Sequence, residues 1–178
     1  MDLPFKYVSS RTMSKDTDEL EVLLAKFAFD AETAFTGFSE QEANELNNIV
    51  VKKKMKGMTV YLPNSLFFKS ADTEINPHST SILKLLGNWV QKKPYTVKIE
   101  GHSDNAKVKS KEFPSNWELS VARAANIMRY FIENKFIVDS KRISAFGYSE
   151  FQPLVRNDSF ENRKKNRRIE VIFKRPKV

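Results

Sequence analysis

The chain has 178 residues, 40% of them hydrophobic and 14 of them phenylalanine, enough for one ordinary domain plus an extension. Its 30 Lys and Arg against 22 Asp and Glu give a net charge of +8, which favours anionic partners such as nucleic acid, acidic lipid or a wall polymer without choosing among them. The lack of cysteine excludes disulfides, thiolate metal sites and a lipid-modified N-terminal cysteine, and no stretch approaches the roughly 20 apolar residues that span a bilayer.

Residues 1–15 carry no pattern, and "MDLPFKYVSSR" has no apolar run of signal-peptide length. The chain is therefore expected to be either cytoplasmic or a piece of something longer. From Asp16, the spacing of Leu20, Leu23, Leu24, Phe27 and Ala31 predicts an amphipathic helix, interrupted at Gly37. Ser39 and Glu42 form the pattern of a capping box for a second helical piece carrying Ala43, Leu46, Ile49 and Val50. The basic run "VKKKMKG" reads as a solvated hinge and places a boundary at residue 57. "MTVYLP" then reads as a strand. In "NPHSTSILKLLGNWVQKKP", Asn76 can cap, Pro77 suits the first helical position, and Ile82, Leu86 and Trp89 share a face until Pro94 stops the helix. "YTVKIEGH" alternates Tyr95, Val97 and Ile99 as a half-buried strand. A helix over 115–135, a strand at "RISAFGY", a polar loop to Asn166 and a strand at "RIEVIFK" complete the chain, the last with Ile169, Val171 and Phe173 inward. This β-α-β-α-β-β order over 58–178 implies an α+β two-layer sandwich, a mixed sheet with helices on one face. Residues 1–57 are left as a partly helical linker.

The helix from 115 carries the most informative pattern. Pro114 precedes it, and Ser115 with Glu118 makes a second capping box. At 100° per residue, Trp117, Val121, Ala124, Met128 and Phe131 share what reads as the core face, opposite Glu118, Asn126, Arg129 and Glu133. Arg123 falls between Leu119 and Ile127, off the wet face, beside Asn116 and Ser120. A guanidinium there needs an anion, because an unpaired buried charge is expensive. Asp104, at the end of the preceding strand, is the nearest candidate. Two readings stand: an Asp104–Arg123 ion pair that holds the fold, or a clamp in which Asp104 takes a ligand ammonium and Arg123 a ligand carboxylate.

Three ordered motifs carry a resemblance. They are Gly101-His102-Ser103-Asp104, Asn116-x-x-Leu119-Ser120-x-x-Arg123-Ala124, and Asn166-Arg167-Arg168. Together they resemble the OmpA-like peptidoglycan-binding domain over roughly residues 58–175. Within it, "PSNWELSVARA" and "GYSEFQPLVRND" are most similar to the MotB-type flagellar stator proteins. The resemblance implies that Asp104 and Arg123 bind the diaminopimelate side chain of the peptidoglycan stem peptide. It further implies that Asn116 helps to orient the peptide and that Arg167 lies at the same pocket. Ala106 stands where the family commonly has a polar residue, and the loop 105–114 is long and lysine-rich.

The same resemblance implies a periplasmic, non-enzymatic wall anchor that acts as a homodimer. Its further partners would be a MotA-like channel subunit and flagellar ring proteins, and a membrane helix outside this sequence would hold it in the inner membrane. The stretch 17–35 would then belong to the linker that couples wall binding to channel opening. The alternative is an OmpA- or Pal-type tether between envelope and wall with no motor. No carboxylate pair, phosphate loop, Ser-His-Asp order or metal spacing appears, so no catalytic residue, metal or cofactor is expected. His102 reads as a structural strand-end residue, and Trp117, Phe67 and Phe68 read as core. "RKKNRR" at 163–168 lacks the exposed aromatics that nucleic-acid binding would use, so nucleic acid is not an expected partner.

Overall fold

The structure, a computed structural model, describes residues 15–33 and 38–176. Five strands form one mixed sheet in the order β1-β2-β5-β3-β4. These are β1 (Val50–Lys54), β2 (Gly57–Pro63), β3 (Thr96–His102), β4 (Ile143–Gly147) and β5 (Arg168–Lys174). Only β3 and β4 run parallel, joined by the long helix α5 (Asn116–Glu133). β5 inserts between β2 and β3, antiparallel to both. Helix α4 (Thr80–Gln91) lies beside α5.

Period-two alternation decides which face is covered. Val97 and Ile99 of β3 and Ile169, Val171 and Phe173 of β5 are buried in one core with Ile82, Leu86 and Trp89 of α4. Trp89 stacks on Tyr95 at 5.6 Å and meets Phe173 edge-on at 5.1 Å. The expected starts of these helices are present. Asn76 Oδ1 accepts from the His78 N–H at 3.1 Å, with Pro77 opening a 3-10 turn before α4. Ser115 Oγ accepts from the Trp117 N–H at 3.1 Å at the head of α5.

Three local expectations need correction. The basic run after Ile49 is not a hinge: Val50–Lys54 is β1, paired antiparallel with β2 across a turn at Met55 and Lys56. Val51 packs on the core, Lys53 follows it on that face and is half-buried, and Lys52 and Lys54 project outward, charges that suit an edge strand. The polar stretch before Asn166 contains a short helix, α6 (Phe160–Asn166), capped by Ser159. The inward face of α5 is also turned from the one expected. Leu119, Ser120, Arg123, Ala124, Ile127 and Phe131 are buried, whereas Trp117 and Val121 are 45% and 46% exposed.

Two glycines explain that turn. A Cβ on Gly101 would lie 2.1 Å from the Ser120 carbonyl oxygen, and one on Gly147 would lie 2.4 Å from the Val121 nitrogen. The helix therefore rests on the sheet at Ser120, with no side chain between, and Trp117 is pushed to the β4 side. There it stacks on Phe151 at 5.2 Å. Among the described residues before β1, α1 (Lys15–Thr33) buries Leu20 and Leu24 in the main core, and Glu19 pairs with Lys93 at 2.9 Å. Leu23 is 38% exposed, and the side chains of Phe27 and Ala31 lie outside the described residues, as does Gly37. Helix α2 (Glu40–Leu46) starts at the expected Ser39–Glu42 capping box. No helix among the described residues is long and apolar enough to cross a membrane.

Candidate ligand-binding cleft

Four chain segments converge at one end of the sheet. The exit of β3 brings Asp104, α5 brings Asn116 and Arg123, and the end of α6 brings Arg167. The segment after the one-turn helix α3 (Asn64–Phe67) brings Phe68 and Lys69. All of them line a cleft of about 510 Å³, so the four predicted site residues are brought together.

Asp104 is only 5% exposed. Its Oδ1 accepts from the Ala106 N–H at 2.9 Å, and its Oδ2 accepts from Arg167 Nη1 at 2.5 Å. Asn116 donates from Nδ2 to the carbonyls of Asp104 (3.3 Å) and Ala106 (2.8 Å). Its amide thus clasps the turn that presents the carboxylate. Ala106 needs no polar side chain for this, because its backbone supplies both groups.

Arg123 does not pair with Asp104, so the fold-holding version of that pair is overturned. Its Nε donates to the Asp72 carbonyl at 2.8 Å and its Nη2 to the Lys69 carbonyl at 2.9 Å, and its guanidinium sits 5.0 Å over the Phe68 ring. Nη1 makes no protein hydrogen bond among the described residues. Residues 69–72 form the turn that aims these carbonyls, with the Asp72 N–H returning to the Lys69 carbonyl at 3.2 Å and Ala71 at φ 54°. Burial lowers the guanidinium pKa from its ordinary value to about 10, against the attraction of Asp72. The side chain remains a cation at neutral pH, held by two backbone carbonyls and the face of the Phe68 ring. A cation so placed can take an anion at its remaining Nη1 edge.

The Asn-Arg-Arg motif divides its labour. Asn166 is fully buried; its Oδ1 accepts from the N–H groups of Leu154 and Val155, and its Nδ2 donates to the Val155 carbonyl and Asn157 Oδ1. Arg167, released at the end of α6, reaches Asp104. Arg168 turns to the uncovered face of the sheet, pairs with Glu170 at 2.6 Å and donates to the Gln152 carbonyl at 3.1 Å.

His102 lies in that same sheet-face network. It is buried, its Nε2 is 3.5 Å from Glu100 and 3.7 Å from Glu170, and its ring stacks on Tyr148 at 5.5 Å. Burial would raise the Glu100 carboxyl, but the neighbouring His102 ring and the Lys98 ammonium outweigh it and hold the group below its ordinary value. Glu100, His102 and Glu170 bring metal-donor atoms within 4.8 Å of one another. Lys98 at 2.5 Å and Arg168 at 2.6 Å already balance the two carboxylates, so a cation there would displace two ion pairs.

Sequence reasoning missed the turn at 69–72 as the seat of Arg123. The available signal was "KSAD", a small polar run whose aspartate accepts from the N–H groups of Thr73 and Glu74.

The family model described as the OmpA family matches residues 67–167, a span that holds Phe68, Asp104, Asn116, Arg123 and Arg167. The chain belongs to the OmpA family. A curated relative within reach of this family match, Motility protein B of Bacillus subtilis, is 39% identical over 71% of this chain and 49% of its own length. The chain spans about half the length of the curated relatives it matches first. Among solved structures, the cell wall anchor of the T6SS from Pseudomonas aeruginosa superposes with a TM-score of 0.71 at 26% identity, covering 88% of this chain and 97% of that one. The periplasmic domain of Helicobacter pylori MotB gives 0.65 at 27% identity over 72% of this chain and 83% of that one. The sandwich expected from the sequence is the fold these OmpA-type structures share.

Proposed function

We propose that this chain is the periplasmic part of a MotB-type flagellar stator protein and that it anchors the stator to peptidoglycan without catalysis. One observation carries the reading: a buried guanidinium with only backbone carbonyls for partners shares a cleft with a buried, presented carboxylate. Arg123 offers its free edge to a ligand carboxylate, and Asp104 takes an ammonium once Arg167 yields. A diaminopimelate side chain in a stem peptide supplies both charges. Asn116 acts on the turn more than on the peptide, fixing where Asp104 points. Arg167 neutralises Asp104 until a ligand ammonium arrives and then passes to the ligand's carboxylates.

In this reading residues 58–178 hold all four site residues, and 1–57 form the linker side, with β1 completing the sheet. The intact protein works as a dimer in the inner membrane beside a MotA-like channel subunit and contacts flagellar ring proteins. The likeness to a secretion-system wall anchor favours a second reading, a wall tether with no motor. Asp104→Asn in the full-length gene, scored for swimming with membrane levels of the protein monitored, separates the two. Lost swimming at normal levels supports the stator. Normal swimming with a loosened envelope supports the tether.

A further inference from the structure

We propose that the cleft selects stem peptides whose acidic residues keep free carboxylates over the same peptides carrying carboxamides, and that Lys107 and Lys109 set this preference. The inference rests on the wall-binding reading and deepens it.

The charges lining the cleft are unequal. Lys69, Lys107, Lys109, Arg123 and Arg167 line it as cations, and Asp104 is the one carboxylate among the described lining residues. Asp104 is already committed to Arg167 and the Ala106 N–H. Asp72 is near Arg123, but it lines the neighbouring hollow, and its Oδ1 is held by the Thr73 and Glu74 N–H groups. A ligand end with one ammonium and one carboxylate is neutral overall. It would leave the whole surplus of positive charge in place.

A stem peptide with further carboxylates meets that surplus. Lys69, Lys107 and Lys109 are exposed and have no ion-pair partner among the described residues, so nothing must be broken to recruit them. A carboxamide in the same place presents an NH2 group to cations that can only donate, and loses the charge-assisted half of each bond. Each carboxylate so masked should weaken binding about tenfold. Lys107 and Lys109 lie in the loop 105–114, whose base at 104–106 is clasped by Asn116. Their position is therefore tied to the clamp, while their side chains remain in solvent. Part of the preference is then screened as salt rises, because exposed charges interact over about 8 Å at physiological ionic strength.

The test uses two synthetic alanyl-γ-glutamyl-diaminopimelate tripeptides, one with free carboxylates and one with only the glutamyl α-carboxyl amidated, so that the diaminopimelate side chain keeps both charges for Asp104 and Arg123. Their dissociation constants are measured by calorimetry against the wild-type chain and a K107Q/K109Q variant. The expected result is wild-type binding at least tenfold tighter to the free acid, and a preference that shrinks several-fold in the variant while free-acid binding persists. Equal wild-type affinities, or a preference unchanged in the variant, would overturn the selectivity and leave the wall-binding reading intact. Failure of both peptides to bind the folded wild type at millimolar concentration would overturn both.

Discussion

Replacing Arg123 with Met separates a binding residue from a structural pin. Burial drops the guanidinium pKa from its ordinary value to about 10, and at about 1.4 kcal/mol per tenfold this sets roughly 3 kcal/mol against the charged side chain in the fold. Opposing it are two hydrogen bonds from a charged donor to the Lys69 and Asp72 carbonyls, worth about 1.5–3 kcal/mol each. The Phe68 ring beneath adds about 1 kcal/mol. Methionine fills the space, forfeits the bonds and removes the buried charge, so the net loss is about 2 kcal/mol, or roughly 4–8 °C in Tm. Urea unfolding measures it, beside pull-down on purified wall sacculi, where the variant should lose at least tenfold in affinity. The sign with pH follows from the same pKa. Folded chains shed the proton near 10 and unfolded chains well above it, so the unfolded state holds more protons in between, and wild-type stability rises with pH above about 10 relative to Arg123→Met. Below about 10 that gain is absent. A loss above about 5 kcal/mol, the range of a broken buried ion pair, would refute the reasoning and make Arg123 a pin of the 69–72 turn.

Three further outcomes are expected. Ala71→Gly, at φ 54° in that turn, should stabilise the fold by about 0.5–1 kcal/mol in urea unfolding by relieving left-handed strain; a loss would mean the turn is not strained. Gly101→Ala places a methyl 2.1 Å from the Ser120 carbonyl and should lower stability by at least about 2 kcal/mol by lifting α5 off the sheet; a near-neutral effect would contradict the close helix approach. The Glu100 carboxyl is held below 4.5 in the fold, so its contribution is present above that pH and lost as pH falls through the folded value. Glu100→Gln should flatten the acid limb of stability against pH, and an unchanged slope would sever it from His102 and Lys98.

Most of the sandwich was legible because period-two strands and strong caps agree with the tertiary packing. Tyr95, Val97 and Ile99 alternate as expected and are buried, and Asn76 and Ser39 cap as expected, while Ser115 caps through the Trp117 N–H and not as a full capping box. The face of α5 was not fully legible. A helical wheel ranks Trp117 and Val121 as core by hydrophobicity, but the contact is set by glycines on other strands, which local periodicity does not register. The basic edge strand was hidden by its own lysines, since charge on β1 protects an edge and looks like a linker. Asp104, Asn116, Arg123 and Arg167 were found by motif, and they do meet in one cleft. Their pairing was not legible, because the carbonyls that hold Arg123 come from a turn about 50 residues earlier. Backbone acceptors leave no mark on residue type.

The central claim is tested most directly by co-sedimentation of the chain with purified peptidoglycan sacculi, beside folded Asp104→Asn and Arg123→Met variants, at low and at physiological salt. The account predicts that the wild type pellets at both salt concentrations while both variants stay in solution at physiological salt. Equal pelleting of all three, abolished by salt, would show attraction by net charge alone and contradict a specific clamp.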